Sequence, residues 1–304
     1  MNQKSDSYQG ESHPQSNEQV FEDSSGSNSD KEQSSCQTTQ RQYSKQLLDL
    51  ARSFMKHRDF NAAESLFRQA LQQMQYTTGD AACPRQEMLE TMANIGKCCQ
   101  STGRLEEALS CYRDALHIKG NPVVHTEPVP CQLLVADILY DIGLIQSNMY
   151  LNKQVQKSQE KALQAFQLCL NIRKSCRREN DPAVANVQHN IGIILLREGG
   201  QRLEKALEYL TKALQTRRLV YGNHHPEVAS SLRHIAMVYN AMGKDPEQAE
   251  RLLNEAVAIL RAIPGECNLQ EVLIELAHVK HVLAQKRDPF SMHQVKDSLP
   301  TNQS

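Results

Sequence analysis

The chain has 304 residues and a formal charge of −1, from 34 Lys and Arg against 35 Asp and Glu, which excludes the global basic field that holds nucleic acid or an anionic membrane surface. A hydrophobic fraction of 39%, no Trp, 13 Gly and 11 Pro point to a mainly helical body with part of the chain too polar to fold. The nine Cys form no CxxC pair and their odd number cannot all pair within the chain, so they read as reduced, mostly buried thiols of a cytoplasmic protein.

Residues 1–42 read as a disordered tail. The first 40 residues hold ten Ser, seven Gln and three Asn, and seven acids against Lys4 and Lys31 leave a local charge of −5. Too little apolar surface is present there to offset chain entropy, and no heptads occur. The rest of the chain then carries +4. Ser27 and Ser29 each have an acid three residues on, a spacing that acidophilic kinases favour. The opening MNQKSDSYQGESHP has neither the basic start nor the apolar stretch of a secretory signal and is too acidic for a mitochondrial presequence. The longest uninterrupted apolar run, Ile191 to Leu196 with Gly192 inside it, is far short of the roughly 20 residues of a membrane helix, so no membrane insertion is expected.

From residue 43 to 286 the sequence repeats itself. The same pattern occurs as LLDLARSFMKHRDFNAAESLFRQAL from Leu47 and as MANIGKCCQSTGRLEEALSCYRDAL from Met92, and three looser copies follow. Each copy has a small residue early in a first helix (Ala51, Gly96, Gly143, Gly192, Ala236) and another early in a second (Ala63, Ala108, Ala162, Ala206, Ala249). Four residues further on comes a bulky side chain (Phe67, Tyr112, Phe166, Leu210, Leu253), and three beyond that a small one (Ala70, Ala115, Cys169, Ala213, Ala256). Those are same-face helical spacings, so each unit is an antiparallel helix pair whose apolar seam must be buried by a neighbour. Asp181-Pro182 and Asp245-Pro246 set a capping carboxylate before a Pro at the first helical position. The region from Lys119 to Pro130, with three Pro, reads as a long loop before the third unit. NLQEVLIELAHVKHVLAQK reads as a terminal capping helix, with Asn268 and Glu271 in capping-box spacing, and residues 287–304 as a frayed tail after Asp288-Pro289.

This pattern resembles the tetratricopeptide repeat (TPR), whose small residues at motif positions 8, 20 and 27 are matched by Gly96, Ala108 and Ala115. Pro182 to Pro226 is 44 residues, longer than the common unit of about 34. Both copies open alike, as NDPAVANVQHNIG and HHPEVASSLRHIA, which looks like the longer unit of kinesin light chains and nephrocystin-type proteins. The resemblance implies an all-α, right-handed α-solenoid of about five helix pairs plus a C-terminal capping helix. It does not extend to the heptad coiled coil that precedes the repeats in kinesin light chains.

No catalytic constellation stands out, and no cofactor or metal is expected. The chain lacks GxxxxGK[ST], GxGxxG, HExxH and GxSxG. His224 and His225 precede Pro226 in the position of a helix cap. His278 and His281 have a spacing two metal ligands could use but no third ligand nearby. Cys98 and Cys99 lack an activating partner and read as packing residues. The basic cluster Arg173, Lys174, Arg177 and Arg178 reads as complementing a helix C-terminus rather than binding RNA.

Surface for a protein or peptide partner is what remains. In the resembled family the first helices line the concave face, which implies a candidate groove of Asp49, Arg52, Asn94, Lys97, Asp141, His189, Asn190, Arg197, Arg233 and His234. An Asn amide offers donor and acceptor to an extended peptide backbone, and Arg52, Lys97, Arg197 and Arg233 would add selectivity for acidic segments. The two-carboxylate clamp of co-chaperone repeats wants Lys and Asn where this chain has Leu48 and Arg52, so that mode is not expected. The expected function is a non-enzymatic adaptor or scaffold, with a permanently packed structural subunit of a larger complex as the alternative.

Overall fold

The computed structural model describes residues 26–76, 85–119, 128–153, 156–178, 180–263 and 268–287. Among them are eleven α-helices, one 3-10 turn at Gly200–Arg202 and no strand. The helices are α1 (Gly26–Lys56), α2 (Phe60–Tyr76), α3 (Arg85–Ser101), α4 (Leu105–Lys119), α5 (Val129–Lys153), α6 (Gln156–Cys176), α7 (Pro182–Glu198), α8 (Leu203–Tyr221), α9 (Pro226–Met242), α10 (Pro246–Arg261) and α11 (Leu269–Arg287). Successive helices pair as hairpins from α1 with α2 to α9 with α10, and each second helix packs on the next first helix, ending with α10 on α11. First helices of successive units also touch, α3 with α5, α7 with α9 and α9 with α11. In a curved stack the closely spaced series is the inner one, so the odd-numbered helices line the concave face.

The core is the repeat seam. All five second-helix alanines, from Ala63 to Ala249, and the small residues seven further on are completely buried, and so are the bulky residues between them to within 1%. A methyl built on Gly96 would lie 2.6 Å from Tyr112 Cε1, on Gly143 2.6 Å from Phe166 Cε1, and on Gly192 2.6 Å from Leu210 Cγ. In these three units the bulky side chain of the second helix therefore sits directly on the glycine of its partner.

Caps set the boundaries. Asp181 accepts a hydrogen bond from the Ala183 amide at 2.8 Å, and Asp245 from the Gln248 amide at 3.0 Å, each before a Pro in the first turn. His225 Nδ1 accepts from the Glu227 amide at 3.2 Å, the capping role expected of that loop.

Helix α1 runs from Gly26 to Lys56 with no Gly or Pro over residues 27–56, and Gln40 reaches α2, its amide donating to Gln73 at 3.1 Å. Other expectations are corrected. Residues 1–25 and 288–304 lie outside the described residues. Helix α5 starts at Val129 and takes in Pro130, whose missing N–H is harmless in a first turn, so the inferred loop is shorter. Over Val129–Met149 α5 is also long and apolar enough, by length and composition, to cross a membrane, which a search for uninterrupted apolar runs overlooks. Its Val135, Ala136, Ile138, Leu139 and Ile145 are buried within the stack. In α11 Glu271 does not close a capping box. Its carboxylate turns to Arg233 on α9 instead.

Replacing Gly96 by Ala tests the crossing. Helix propensity alone would stabilise the variant by about 1 kcal/mol. Tyr112 is fully buried and cannot retreat, so overpacking of about 1–3 kcal/mol should win and lower the thermal midpoint. A midpoint equal to or above that of the unaltered chain would show that the helices separate freely there.

Candidate functional site

The concave helices bring the candidate residues to one face, but in different states. Asp49 and Arg52 on α1 pair with each other at 3.0 Å, and Arg52 also lies 4.0 Å from Glu90 on α3. Arg233 on α9 is held by Glu271 and, at 3.7 Å, by Glu275 on α11. Arg52 and Arg233, two of the four cations offered to an acidic segment, are thus each paired within the fold. Arg197, exposed at the end of α7, donates to the Ser147 hydroxyl on α5 at 3.1 Å. Asn94 and Lys97 sit half-buried one turn apart on α3.

The centre of the face is a polar cluster around Tyr140 on α5. The Asn190 amide donates to the Tyr140 hydroxyl at 3.0 Å, leaving the amide oxygen for another donor. The Tyr140 ring meets Phe166 edge-on at 5.6 Å and carries the Arg173 guanidinium 4.9 Å from its centroid. The next residue, Asp141, accepts from the Tyr112 hydroxyl at 3.3 Å. Burial raises its carboxyl above the usual range, against the pull of Lys97 and Tyr112.

Arg173 is not a surface cation at a helix end, as the sequence suggests. It is buried, donating to Asp137 at 2.7 Å and to the Ala183 carbonyl in the first turn of α7 at 2.9 Å. Arg217, one long unit later, does the same: it donates to Asn186 at 3.0 Å and to the Glu227 carbonyl in the first turn of α9 at 3.1 Å. Each arginine bolts its own unit to the next.

His189 and His234 also depart from a simple lining. His189 is only 6% exposed, beneath the groove floor rather than on it, with its ring edge-on to His234 at 4.9 Å. His234 Nδ1 meets the Ser230 carbonyl at 2.8 Å, whereas His189 Nδ1 is buried without a hydrogen-bond partner. Burial, with Arg217 and His234 adding to it, holds His189 well below the usual imidazole range. Burial likewise brings His234 down to about 4.

The remaining sequence candidates go to structural tasks. His278 Nδ1 lies 3.3 Å from the Asn240 amide, and His281 Nε2 2.8 Å from the Gln285 amide. Cys98 and Cys99 are completely buried, and burial pushes both thiols up to about 11, so they stay protonated and unreactive at neutral pH. Glu64, Cys99 and Glu107 bring potential ligand atoms within 4.8 Å of one another. Burial alone would raise the Glu64 carboxyl, but Arg104 and Arg68 outweigh it and hold it below the usual range, so that carboxylate already has its cations.

The histidine pair predicts an acid response. Both rings fold neutral with values depressed from 6.5, so their contribution is complete above that value and is lost as pH falls from 6.5 towards about 4. Denaturant midpoints compared at about pH 7.5 and about pH 5 should fall less in the double variant His189→Phe/His234→Gln than in the unaltered chain. Equal losses would show that other groups carry the acid sensitivity.

Comparison with known proteins gives a consistent result. Residues 89–122 and 200–262 match models of the tetratricopeptide repeat. Over 218 residues, 71% of this chain, the sequence is 26% identical to Protein KINESIN LIGHT CHAIN-RELATED 1 of Arabidopsis thaliana, and it spans 32% of that relative's length. Among solved structures, BtubC (BKLC) from P. vanneervenii superposes with a TM-score of 0.57 at 17% identity, covering 81% of this chain and 95% of its own. The nearly identical kinesin-light-chain TPR-like repeats of Podosopora anserina follow at 0.52 and 18%, covering 73% and 97%. A tetratricopeptide repeat protein from Parabacteroides merdae gives 0.52 and 18%, covering 86% and 82%. At these identities the structural likeness is one of fold. Residues 89–122 and 200–262 thus match the tetratricopeptide repeat, and the chain as a whole is similar in sequence to a kinesin-light-chain-related protein and in fold to solenoids of such repeats.

Proposed function

We propose that the chain is a non-enzymatic adaptor of the cytoplasm that holds an extended segment of a partner protein in its concave groove, as a kinesin-light-chain-like cargo adaptor would. Tetratricopeptide repeats generally mediate protein–protein interaction, and that coarse role needs no site chemistry beyond hydrogen bonding and shape. The observation that carries the finer reading is the division of labour on the concave face. Asn94, Lys97 and the Asn190 amide oxygen remain to meet a ligand, while Asp49, Arg52 and Arg233 are engaged within the fold. Two amides on successive parts of the groove can grip a peptide backbone regardless of its side chains. Neither nucleic acid nor a cofactor has a role in this reading.

A second reading, a subunit packed permanently into a larger assembly, draws on exposed apolar side chains that are not among the candidate groove residues. Leu219 at the end of α8 is 71% exposed and Ile274 on α11 is 65% exposed. Affinity purification from cytosol with the intact chain beside an Asn94→Ala/Asn190→Ala variant separates the two, with mass spectrometry of what each retains. Partners lost selectively from the variant are expected for the adaptor. An identical set on both would move the binding surface outside the groove and favour the permanent subunit.

A further inference from the structure

Helix α1 lacks a neighbour that later first helices have. Helices α3, α5, α7 and α9 each pack on their own second helix and also on the second helix before them, whereas α1 is the first helix among the described residues. The small residues Ala51, Gly96, Gly143, Gly192 and Ala236 put the five helices in register, so exposure can be compared position by position. Eight residues before the small one stands Tyr43, 50% exposed, where Val135, Val184 and Val228 are at most 2% exposed. One residue before it stands Leu50, 49% exposed, where Ile95, Ile191 and Ile235 are at most 4% exposed. Met88 and Ile142, which complete these two series, are half-buried. Gln46 and Ser53 are exposed too, at positions where Ile138 and Val187, and Cys98, Ile145, Ile194 and Val238, are buried. Tyr43, Gln46, Leu50 and Ser53 are three or four residues apart and form one stripe. The end unit of a solenoid ordinarily closes it with a polar face, and this stripe instead shows water a tyrosine and a leucine. Beside it, at intervals of about one turn, stand Lys45, Asp49, Arg52 and Lys56, all exposed. Asp49 is taken by Arg52 at 3.0 Å, which leaves that rim net positive.

We propose that the outer face of α1 docks an amphipathic helix of a partner protein, which stands where a preceding second helix would stand and turns acids towards Lys45 and Lys56. The chain itself sets a second helix against each of α3, α5, α7 and α9 in this way, so the kind of element that fits is displayed four times over. A helix anchored at positions three, four and seven apart buries such a stripe, and a net positive rim selects acids beside it. A second copy of this chain suits the face poorly. Its helices α2, α4, α6, α8 and α10 are each already packed on the first helix that follows, and two α1 faces laid together would oppose the same cations. Residues 1–25 contain no Ala and, apart from Met1, only Tyr8, Val20 and Phe21 as bulky apolar residues, so their sequence lacks the second-helix pattern. The face is distinct from the concave groove and stands whether or not the groove reading holds.

A fluorescently labelled peptide of residues 245–261, the α10 sequence, is the probe, because it carries the second-helix pattern and four acids against two bases. Its anisotropy is followed against the full chain, against Leu50→Glu and against Asn94→Ala/Asn190→Ala. Binding is expected to weaken about tenfold in Leu50→Glu, the order that burying one leucine contributes, and to be unchanged in the groove variant. Leu50 is half exposed, so the thermal midpoint of Leu50→Glu should match that of the unaltered chain. Replacing Glu247, Glu250 and Glu255 of the peptide by Gln should weaken binding at low salt and make little difference at high salt. No binding, or equal binding by Leu50→Glu, would overturn the docking face. So would sedimentation that shows the unaltered chain dimeric and Leu50→Glu monomeric, since the face would then belong to a second copy.

Discussion

The structure depends on one steric relation, repeated: a bulky side chain of a second helix resting on a residue without a side chain in the first. At Gly96, Gly143 and Gly192 even one added methyl would fall within 2.6 Å of a ring or branch carbon. That contact fixes the distance and rotation between the helices of a pair. It also determines which face of the pair is left to meet the next unit and which side of each first helix turns to the concave surface. The polar residues of that surface are in position because the seam behind them is closed.

A second layer of interaction decides which polar residues are available. Arginine recurs as a fastener between units, from the convex series through Arg173 and Arg217 and from the concave series through Arg233. A guanidinium suits this task because its planar fork can satisfy a carbonyl and a side chain at once. The residue types that sequence alone would assign to ligand recognition are thus divided between holding the solenoid and facing its groove. The adaptor reading rests on the second set, and Asn94 and Asn190 belong to it for different reasons. Asn190 is oriented by Tyr140, whereas Asn94 is half-buried on α3.

Much of this was legible in the sequence because the repeat is local. The small, bulky, small spacing needs only one helix to be recognised, and five copies vote on its phase. The caps at Asp181, His225 and Asp245 were equally legible, since a cap and the helix it starts are contiguous. What escaped was whatever depends on a partner distant in sequence. Arg173 looked like one member of a basic run until Asp137, 36 residues earlier, and the α7 carbonyl appeared beside it. Glu271 had the spacing of a capping box, but a guanidinium 38 residues away competes better for it. His189 was placed on the groove by its motif position, yet position 5 is turned further inward than position 6. Leu48 and Ala93, at that same position, are 3% and 2% exposed. The 44-residue interval between Arg173 and Arg217 was the signal that could have exposed the bolts, because it equals the unit length.

The third unit carries a further lesson. Helices α5 and α6 have 25 and 21 residues, whereas α3 and α4 have 17 and 15, yet Gly143 still lies under Phe166 as Gly96 lies under Tyr112. The additional residues lengthen the free tip of a hairpin and leave the phase of the crossing unchanged. Entropic costs of a longer connection grow only by about 0.6 kcal/mol per doubling. A stack of this kind can therefore acquire new edge by insertion at its tips, one unit at a time. Such outgrowths give the family a way to diversify its outline while the geometry of its groove is inherited intact.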